Sequence, residues 1–356
     1  MLYVCHAVRL FAHSMIYRSV MKLHDFLYFV FLYLQTFHEY SHQMCNTKTN
    51  NKQTILSISR QLLKLLPLKH PQLSSLTNQV FHNLFSAHTQ LSISAESLSQ
   101  LLQVLQNQPM TSDVSSSLQF IKMLKSGFIA LRTLDDIECG NQLSTVVQTL
   151  LSFFQLDQHE LASMTSDALK SLIQHCVSDA MINEADPDNN PSAPLLSLIQ
   201  SISGAINYKN RNNLDSILAV QEQLFRRLGS ASYPLLNHLL ISIEQLNESP
   251  DFYMHTSLEK CIVAAVSAMG PRKVLELLPL NLSGNGRART YLFPILKRGV
   301  RNAELAFFAQ YFIPLATQFL TRSNAAAQND EKTTAKNYKN FYDQTYAILP
   351  GFCTYC

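Results

Sequence analysis

Residues Lys273–Pro314 read KVLELLPLNLSGNGRARTYLFPILKRGVRNAELAFFAQYFIP, and their order of apolar, basic and turn-forming residues predicts helices separated by a loop. Apolar residues at helical spacing begin in Lys273–Pro279. The segment Leu280–Arg289 carries two glycines and predicts a loop. Helical spacing of apolar residues returns in Thr290–Val300 and Ala303–Phe319. The stretch therefore has the pattern of one and a half helical repeats with an insertion.

The same stretch concentrates positive charge. Between Arg272 and Arg301 the only acidic residue is Glu276. Lysine and arginine side chains can neutralise RNA phosphates without reading the base sequence. We therefore take five basic residues of this stretch as candidate RNA or phosphate contacts: Arg287, Arg289, Lys297, Arg298 and Arg301.

Structural explanations for these residues stay open at this point. Lys297 and Arg298 lie near the predicted end of a helix, where cations interact favourably with the helix dipole. Tyr291 and Phe293 alternate with the charges and could stack on bases. The position of Phe293 within an apolar stripe favours burial in the core instead.

The last predicted helix of the stretch carries its own expectations. Its spacing predicts a buried stripe made of Leu305, Phe308, Phe312 and Phe319. Pro314 lies inside this pattern and predicts a kink, because proline cannot donate a helical hydrogen bond.

Composition indicates an all-helical protein with a local charged surface. The chain has 356 residues, of which 47% are hydrophobic and 15% charged, below the roughly 25% charged residues of an average soluble chain. Only 9 residues are glycine, which suits helices joined by short turns. The net charge is +3, so an electrostatic partner has to be bound by a local patch.

Similar helical patterns recur along the chain. Comparable apolar positions are separated by 39, 45, 49, 40 and 40 residues; they are Leu62, Leu101, Val146, Leu195, Leu235 and Leu275. HEAT and armadillo units repeat about every 40–47 residues. A single pair of helices cannot bury both of its faces, so stacking of neighbours supplies the core. The sequence therefore predicts an all-α fold, an α-solenoid of HEAT/armadillo-like helical repeats.

The domain organisation follows from composition. Residues 1–51 form an atypical segment rich in aromatic residues and histidine, and residues 52–356 form the predicted solenoid. Within the solenoid we expect a loop at 183–194, a basic insertion around 280–301 and a polar linker at 321–340.

The first segment contains two patterns that need an explanation. The apolar run Phe26–Leu34 has nine residues, whereas a membrane-spanning helix needs about 20, so we expect no stable membrane association. His38, Glu39 and His42 match the H-E-x-x-H pattern of zinc hydrolases, in which two imidazoles bind the metal. A third ligand is required, and no acidic residue lies between Gln43 and Ala95. A zinc hydrolase is therefore the alternative from a different functional class.

Other catalytic and cofactor motifs are missing from the sequence. The chain has no P-loop and no Gly-x-Ser-x-Gly elbow. Cys353 and Cys356 form a single C-x-x-C pair, which supplies two of the four thiolates of a structural zinc site. We therefore predict no enzyme activity, no cofactor, and neither catalytic nor metal-binding residues.

Several segments together resemble one family. LLKLLPLKHPQLSSLTNQVFHNLF (Leu62–Phe85), VLELLPLNL (Val274–Leu282), RARTYLFPILKRGVRNAELAFFAQYFIPLA (Arg287–Ala316) and ILPGFC (Ile348–Cys353) are similar to segments of the HEAT-repeat ribosomal RNA-processing protein twelve family. The resemblance covers roughly Lys52–Cys353. Family members continue for hundreds of residues beyond the last motif, so we expect the sequence to be an amino-terminal portion.

The resemblance implies a function. It implies a non-enzymatic scaffold of small-subunit ribosome biogenesis that binds pre-ribosomal particles and rRNA. It further implies a nucleolar and nuclear location, shuttling to the cytoplasm, and partners in nuclear export machinery of the Ran/exportin type. An importin-like nuclear transport adaptor, also built of stacked helical pairs, is the alternative within the same architecture.

Overall fold

The computed structural model describes residues 59–64, 66, 70–87, 93–108, 113–183, 192–247, 254–282 and 288–353. These residues form helices and connecting turns, with no strand among them. The chain divides into two compact units, Met1–Ser178 and Asp179–Cys356. The apolar run Phe26–Leu34 and the motif at His38–His42 lie outside the described residues, so the expectations for segment 1–51 stay predictions.

Two long helices in the described part of the first unit begin at polar caps. Asp113 accepts a hydrogen bond from the backbone N–H of Ser116 over 2.7 Å, and Asp135 accepts one from Glu138 over 3.0 Å. The two caps start the third and fourth helices. The helices are α1 (Pro71–Ser86), α2 (Ala95–Gln106), α3 (Val114–Leu134), α4 (Asp136–Leu151) and α5 (His159–Cys176), with a 3-10 turn at Ser152–Gln155.

Within this unit the helices pack in alternation. Helices α1, α3 and α5 pack side by side in one layer, and α2 packs against α4 in a second layer. The first layer's helices begin at Pro71, Val114 and His159, which are 43 and 45 residues apart. Gly127 lets the layers approach, because a Cβ there would lie 2.5 Å from a methyl carbon of Leu102. The spacing is that of HEAT repeats.

The second unit, taken by itself, also contains a layer of successive helices. Its helices α8, α10 and α12 pack in one layer and begin at Leu214, His255 and Leu292, which are 41 and 37 residues apart. The helices are α6 (Asp179–Asn183), α7 (Ala193–Ser203), α8 (Leu214–Leu228), α9 (Asn237–Asn247), α10 (His255–Met269), α11 (Pro271–Leu277), α12 (Leu292–Gly299), α13 (Leu305–Phe307), α14 (Ile313–Gln328) and α15 (Lys332–Tyr346). Shorter helical elements lie at Tyr208–Asn213, Gly229–Ala231, Ser232–Leu235, Phe308–Phe312 and Leu349–Phe352. The predicted all-α solenoid is confirmed.

Two glycines end helices of the second unit. Gly229 follows α8 with a φ of +54°, and Gly270 follows α10 with a φ of +85°. Both angles lie in a region that side chains other than glycine rarely adopt. Pro271 then opens α11, since its missing N–H is not needed in a first turn.

Residues 321–340 are not the polar linker that their composition predicts. They contain the end of α14 and the first part of α15, which pack against each other as a helical hairpin. The ring of Phe319 contacts those of Tyr338 and Phe341, with centroids 6.4 and 5.5 Å apart. A few aromatic residues on one face hold these helices together, although most of their other residues are polar.

The helix after α12 also differs in detail from its prediction. Phe308, Phe312 and Phe319 are buried as expected, but Leu305 is 49% exposed. The helix widens into a π-helical turn at Phe308–Phe312, directly before Pro314. Because proline has no N–H to donate, the helix accommodates Pro314 beside this widened turn.

Candidate nucleic-acid interface

Helix α12 is anchored by its apolar residues and leaves its cations at the surface. Leu292, Ile295 and Leu296 are fully buried, and Phe293 is 1% exposed. The ring of Phe293 stacks on that of Phe341, with centroids 5.9 Å apart. Phe293 therefore belongs to the core, as its position in an apolar stripe predicts, and is not placed to stack on bases.

Two glycines fix the end of this helix. A Cβ on Gly299 would lie 2.8 Å from the Cβ of Val266 on α10. A Cβ on Gly351 would lie 2.6 Å from the carbonyl oxygen of Val300. Ser267 also donates a hydrogen bond to the carbonyl of Gly299 over 2.7 Å. The backbone at Gly299 and Val300 is therefore packed against α10 and against Gly351. This packing fixes the backbone positions from which the side chains of the candidate residues extend.

Three of the five candidate cations lie together at this end of α12. Lys297, Arg298 and Arg301 are all exposed. Arg298 forms an ion pair with Glu259 of α10, at 2.5 Å, and Arg301 donates to the carbonyl of Val300 over 2.8 Å. Within the described part of the chain, Lys297 has no ion pair. The cluster Lys297, Arg298 and Arg301, called the α12 cluster below, carries three positive charges opposed by one partly exposed carboxylate.

Arg289 has a different environment. Its Nε lies 2.9 Å from a carboxylate oxygen of Glu244 on α9, and the two side chains are 19% and 7% exposed. Its guanidinium also donates to the carbonyl of Pro279 over 3.1 Å, and its backbone N–H donates to that of Leu280 over 2.9 Å. These bonds close the loop between α11 and α12. The charge of Arg289 is therefore largely compensated.

Tyr291 completes this buried group. Its hydroxyl donates a hydrogen bond to the second carboxylate oxygen of Glu244. Burial, followed by the bond to Glu244 and its negative charge, raises the pKa of Tyr291 well above the usual value of a phenol. Its hydroxyl is therefore committed to Glu244. Arg287 lies outside the described residues, and its role stays a prediction.

The sequence identifies the basic stretch, but it does not show which of its cations are paired within the fold and which are free to bind RNA. No local pattern pairs Arg289 with Glu244, because 45 residues separate them. The repeat period does supply a signal, since equivalent positions on neighbouring repeats lie about 40–47 residues apart. A search for opposite charges within a few residues of this separation would have found both this pair and Arg298 with Glu259, which are 39 residues apart.

The other predicted chemistries have no counterpart among the described residues. No group of three or more metal-binding side chains lies together in that part of the chain. In the same residues, no helix is long and apolar enough to cross a membrane. Cys353 is exposed, and its C-x-x-C partner Cys356 lies outside the described residues.

The chain is similar to known proteins over most of its length. The sequence profile described as "Ribosomal RNA-processing protein 12, HEAT repeats" matches residues 155–356. An RRP12-like protein of Gallus gallus is 28% identical over 302 residues, and one of Homo sapiens is 28% identical over 313 residues. The Ribosomal RNA-processing protein 12 of Saccharomyces cerevisiae is 22% identical over 312 residues.

These relatives are much longer than the chain. The matches cover 82%, 84% and 82% of this chain but only 23%, 24% and 25% of the chicken, human and yeast proteins. The chain thus spans about a quarter of the length of the curated relatives that it matches.

Proposed function

Because the chain belongs to the ribosomal RNA-processing protein 12 family, we propose that it acts in ribosome biogenesis as a non-enzymatic HEAT-repeat scaffold. It binds pre-ribosomal particles and contacts their rRNA through phosphates. The observation that carries the proposal is the family match over residues 155–356, which contain the α12 cluster.

The α12 cluster supports phosphate contact by its exposure and charge. Lys297 points a compact charge toward solvent, and Arg301 lies exposed on a backbone held by Gly351. Phosphate contacts position a protein on RNA without selecting a sequence, which suits a scaffold on a large particle. We assign the phosphate contacts mainly to Lys297 and Arg301. Arg298 contributes less, because its charge is partly compensated by Glu259.

The remaining sequence-predicted candidates have more limited roles in this proposal. Arg289 supports the loop between α11 and α12 through Glu244 and makes no primary phosphate contact. Arg287 is a further candidate contact on the same loop.

The proposal extends to location and partners. The protein works in the nucleolus and nucleus, where precursor rRNA is processed, and accompanies the small subunit during export. Its partners there are pre-ribosomal particles, rRNA and export machinery of the Ran/exportin type, with shuttling to the cytoplasm. A protein of stacked helices offers extended surfaces to such partners rather than a reactive pocket.

The salt dependence of RNA binding tests the phosphate contacts. The triple variant K297Q/R298Q/R301Q removes the three charges of the α12 cluster. The slope of log K against log salt is negative, and each lost contact to single-stranded RNA reduces its magnitude by about 0.7. The magnitude should therefore decrease by about 2 in the triple variant. Fluorescence anisotropy with a labelled, unstructured RNA measures this slope.

A matched control distinguishes the loss of a binding site from the loss of overall positive charge. The variant K332Q/K336Q/K339Q removes three exposed charges from α15. Its slope should stay closer to that of the wild type than the slope of the α12 variant does. Equal slopes for wild type and the α12 variant would remove the α12 cluster from the proposal.

A further inference from the structure

The two adjacent helices α1 and α3 contain no carboxylate. Helix α1 (PQLSSLTNQVFHNLFS) has no charged side chain. Helix α3 (VSSSLQFIKMLKSGFIALRTL) has three basic residues and no acidic one. Arg132, near the end of α3, pairs with Asp136 at 2.9 Å. The other two, Lys122 and Lys125, have no ion pair within the described part of the chain.

Lys122 and Lys125 lie beside a seam of neutral polar groups. The hydroxyls of Ser75 and Ser115 are 3.4 Å apart, and Nδ1 of His82 lies 2.9 Å from the hydroxyl of Ser126. Ser75 contacts Ser115 and the later His82 contacts the later Ser126, so the two helices run parallel. The lysines are three residues and about 4.5 Å of helix rise apart, on the part of α3 that contacts His82. Both are half-buried. A lysine in this position can pack its stem on the protein and keep its amino group in water.

His82 reports the electrostatic potential at this place. Its pKa lies below the usual value, first because of burial and then because of the positive charge of Lys125. A hydrogen bond with the backbone of Lys122 acts in the opposite direction, and the charge of Lys122 makes a smaller lowering contribution. No carboxylate acts on His82 in the opposite direction. Because α1 and α3 carry no acidic residue, neither helix supplies a countercharge for the two lysines.

We propose that Lys122 and Lys125, with the polar seam of α1 and α3, form a second RNA phosphate-binding site in the first unit. This inference rests on the proposed function and adds to it a contact surface that lies before the segment matched by the family profile. Ammonium groups neutralise phosphates, and exposed hydroxyls such as those of Ser75 and Ser115 can donate to phosphate and sugar oxygens.

RNA suits this surface better than an acidic peptide does. Peptides and proteins anchor mainly through apolar and aromatic side chains that enter pockets. The large apolar side chains of α1 and α3 are not exposed along the seam, and the exposed one, Leu134, lies at the far end of α3. An RNA backbone is polar along its whole length and needs no apolar anchor.

The test compares three variants of the full chain with one labelled, unstructured single-stranded RNA. They are K122Q/K125Q, the control K332Q/K336Q on α15, and K297Q/R298Q/R301Q. Two lost contacts should reduce the magnitude of the negative slope of log K against log salt by about 1.4. They should also weaken the affinity on the order of tenfold at 0.1 M salt. The α15 control should leave both nearly unchanged.

NMR titration of His82 gives a second readout. RNA bound at Lys122 and Lys125 offsets their charge, so the pKa of His82 should rise toward its usual value in wild type. The rise should be absent in K122Q/K125Q, whose His82 pKa is already higher without RNA. The His82 resonance is assigned by its loss in His82→Gln.

The outcomes separate this inference from the proposed function. If wild type binds RNA and only the α12 variant changes the slope, the α1–α3 site is overturned while the RNA-binding proposal stands. If wild type binds no RNA, both fail. If a poly-glutamate peptide shifts the His82 pKa and RNA does not, the site is a peptide site and the inference is overturned.

Discussion

Arg289 and Glu244 form an ion pair at 2.9 Å although 45 residues separate them in the sequence. The separation is close to one helical repeat, so the pair joins the loop before α12 to helix α9 of the same unit. Tyr291 donates to the same carboxylate. Arg289 therefore supports this largely buried group rather than an RNA contact.

Breaking this pair should destabilise the protein. Glu244→Gln leaves the largely buried guanidinium of Arg289 without a countercharge. We expect a loss of about 2–3 kcal/mol in the free energy of unfolding, somewhat below the cost for a fully buried pair. Urea unfolding followed by circular dichroism measures it.

The control for this change is an exposed pair. Glu276→Gln removes the partner of Lys273, whose side chain is 41% exposed. Exposed pairs contribute about 0–1 kcal/mol, so this variant should unfold almost as the wild type does. Equal stabilities of the two variants would show that the Glu244 pair is not buried as described.

Tyr291 should make stability depend on alkaline pH. A phenol has a pKa of about 10 in an unfolded chain, and the pKa of Tyr291 is raised in the folded protein. Its contribution is complete below pH 10 and falls as the pH rises above it, because the unfolded chain loses a proton that the folded one keeps. The slope is about −1.4 kcal/mol per pH unit.

Tyr291→Phe removes that contribution. The free energy of unfolding of the variant should decline less steeply above pH 10 than that of wild type, when both are measured by urea unfolding at a series of pH values. Tyr346→Phe, at a ring that is 38% exposed, is the control and should keep the wild-type slope. A Tyr291→Phe variant as steep as wild type would contradict the assignment.

Gly351 should tolerate no side chain. A Cβ there would meet the carbonyl oxygen of Val300 at 2.6 Å, and backbone cannot move aside as a flexible side chain can. Gly351→Ala should therefore cost about 1–3 kcal/mol. Gly204→Ala, where the nearest atom would lie at 3.2 Å, should change stability by less than about 1 kcal/mol in either direction. Thermal unfolding of both variants decides between tight and loose contact at Gly351.

Cysteine labelling should distinguish the buried thiols from the exposed one. Cys139, Cys176 and Cys261 are fully buried, and Cys353 is exposed. Burial, with the charge of Glu222, also raises the pKa of Cys261, which lowers its thiolate fraction. Iodoacetamide followed by peptide mass spectrometry should modify Cys353 in the folded protein and the other three only after unfolding. Rapid labelling of Cys261 in the folded protein would contradict the packing of α10.

Periodic features of the sequence predict most of the architecture. The apolar spacing of Leu292, Phe293, Ile295 and Leu296 places α12 in the core, as found. The recurrence near 40 residues predicts the layers, because each helix of a repeat packs on its equivalent in the next.

Features that depend on distant contacts could not be predicted in the same way. Residues 321–340 have a polar composition, yet contacts of Phe319 with Tyr338 and Phe341 hold them in a helical hairpin. Arg289 and Lys297 look alike in sequence, and only Glu244 in a preceding helix makes one of them structural. Lys122 and Lys125 do not stand out in the sequence of α3. They are distinguished by the helix that packs beside them, since α1 has no carboxylate.

Cosedimentation tests the central claim most directly. The tagged chain is expressed in cells, the lysate is separated on a sucrose gradient, and precursor rRNA is measured in each fraction. The account predicts that the chain sediments with particles containing small-subunit precursor rRNA, and that combining K122Q/K125Q with K297Q/R298Q/R301Q moves it toward the top of the gradient. A wild-type chain that stays at the top, apart from every precursor rRNA, would contradict it.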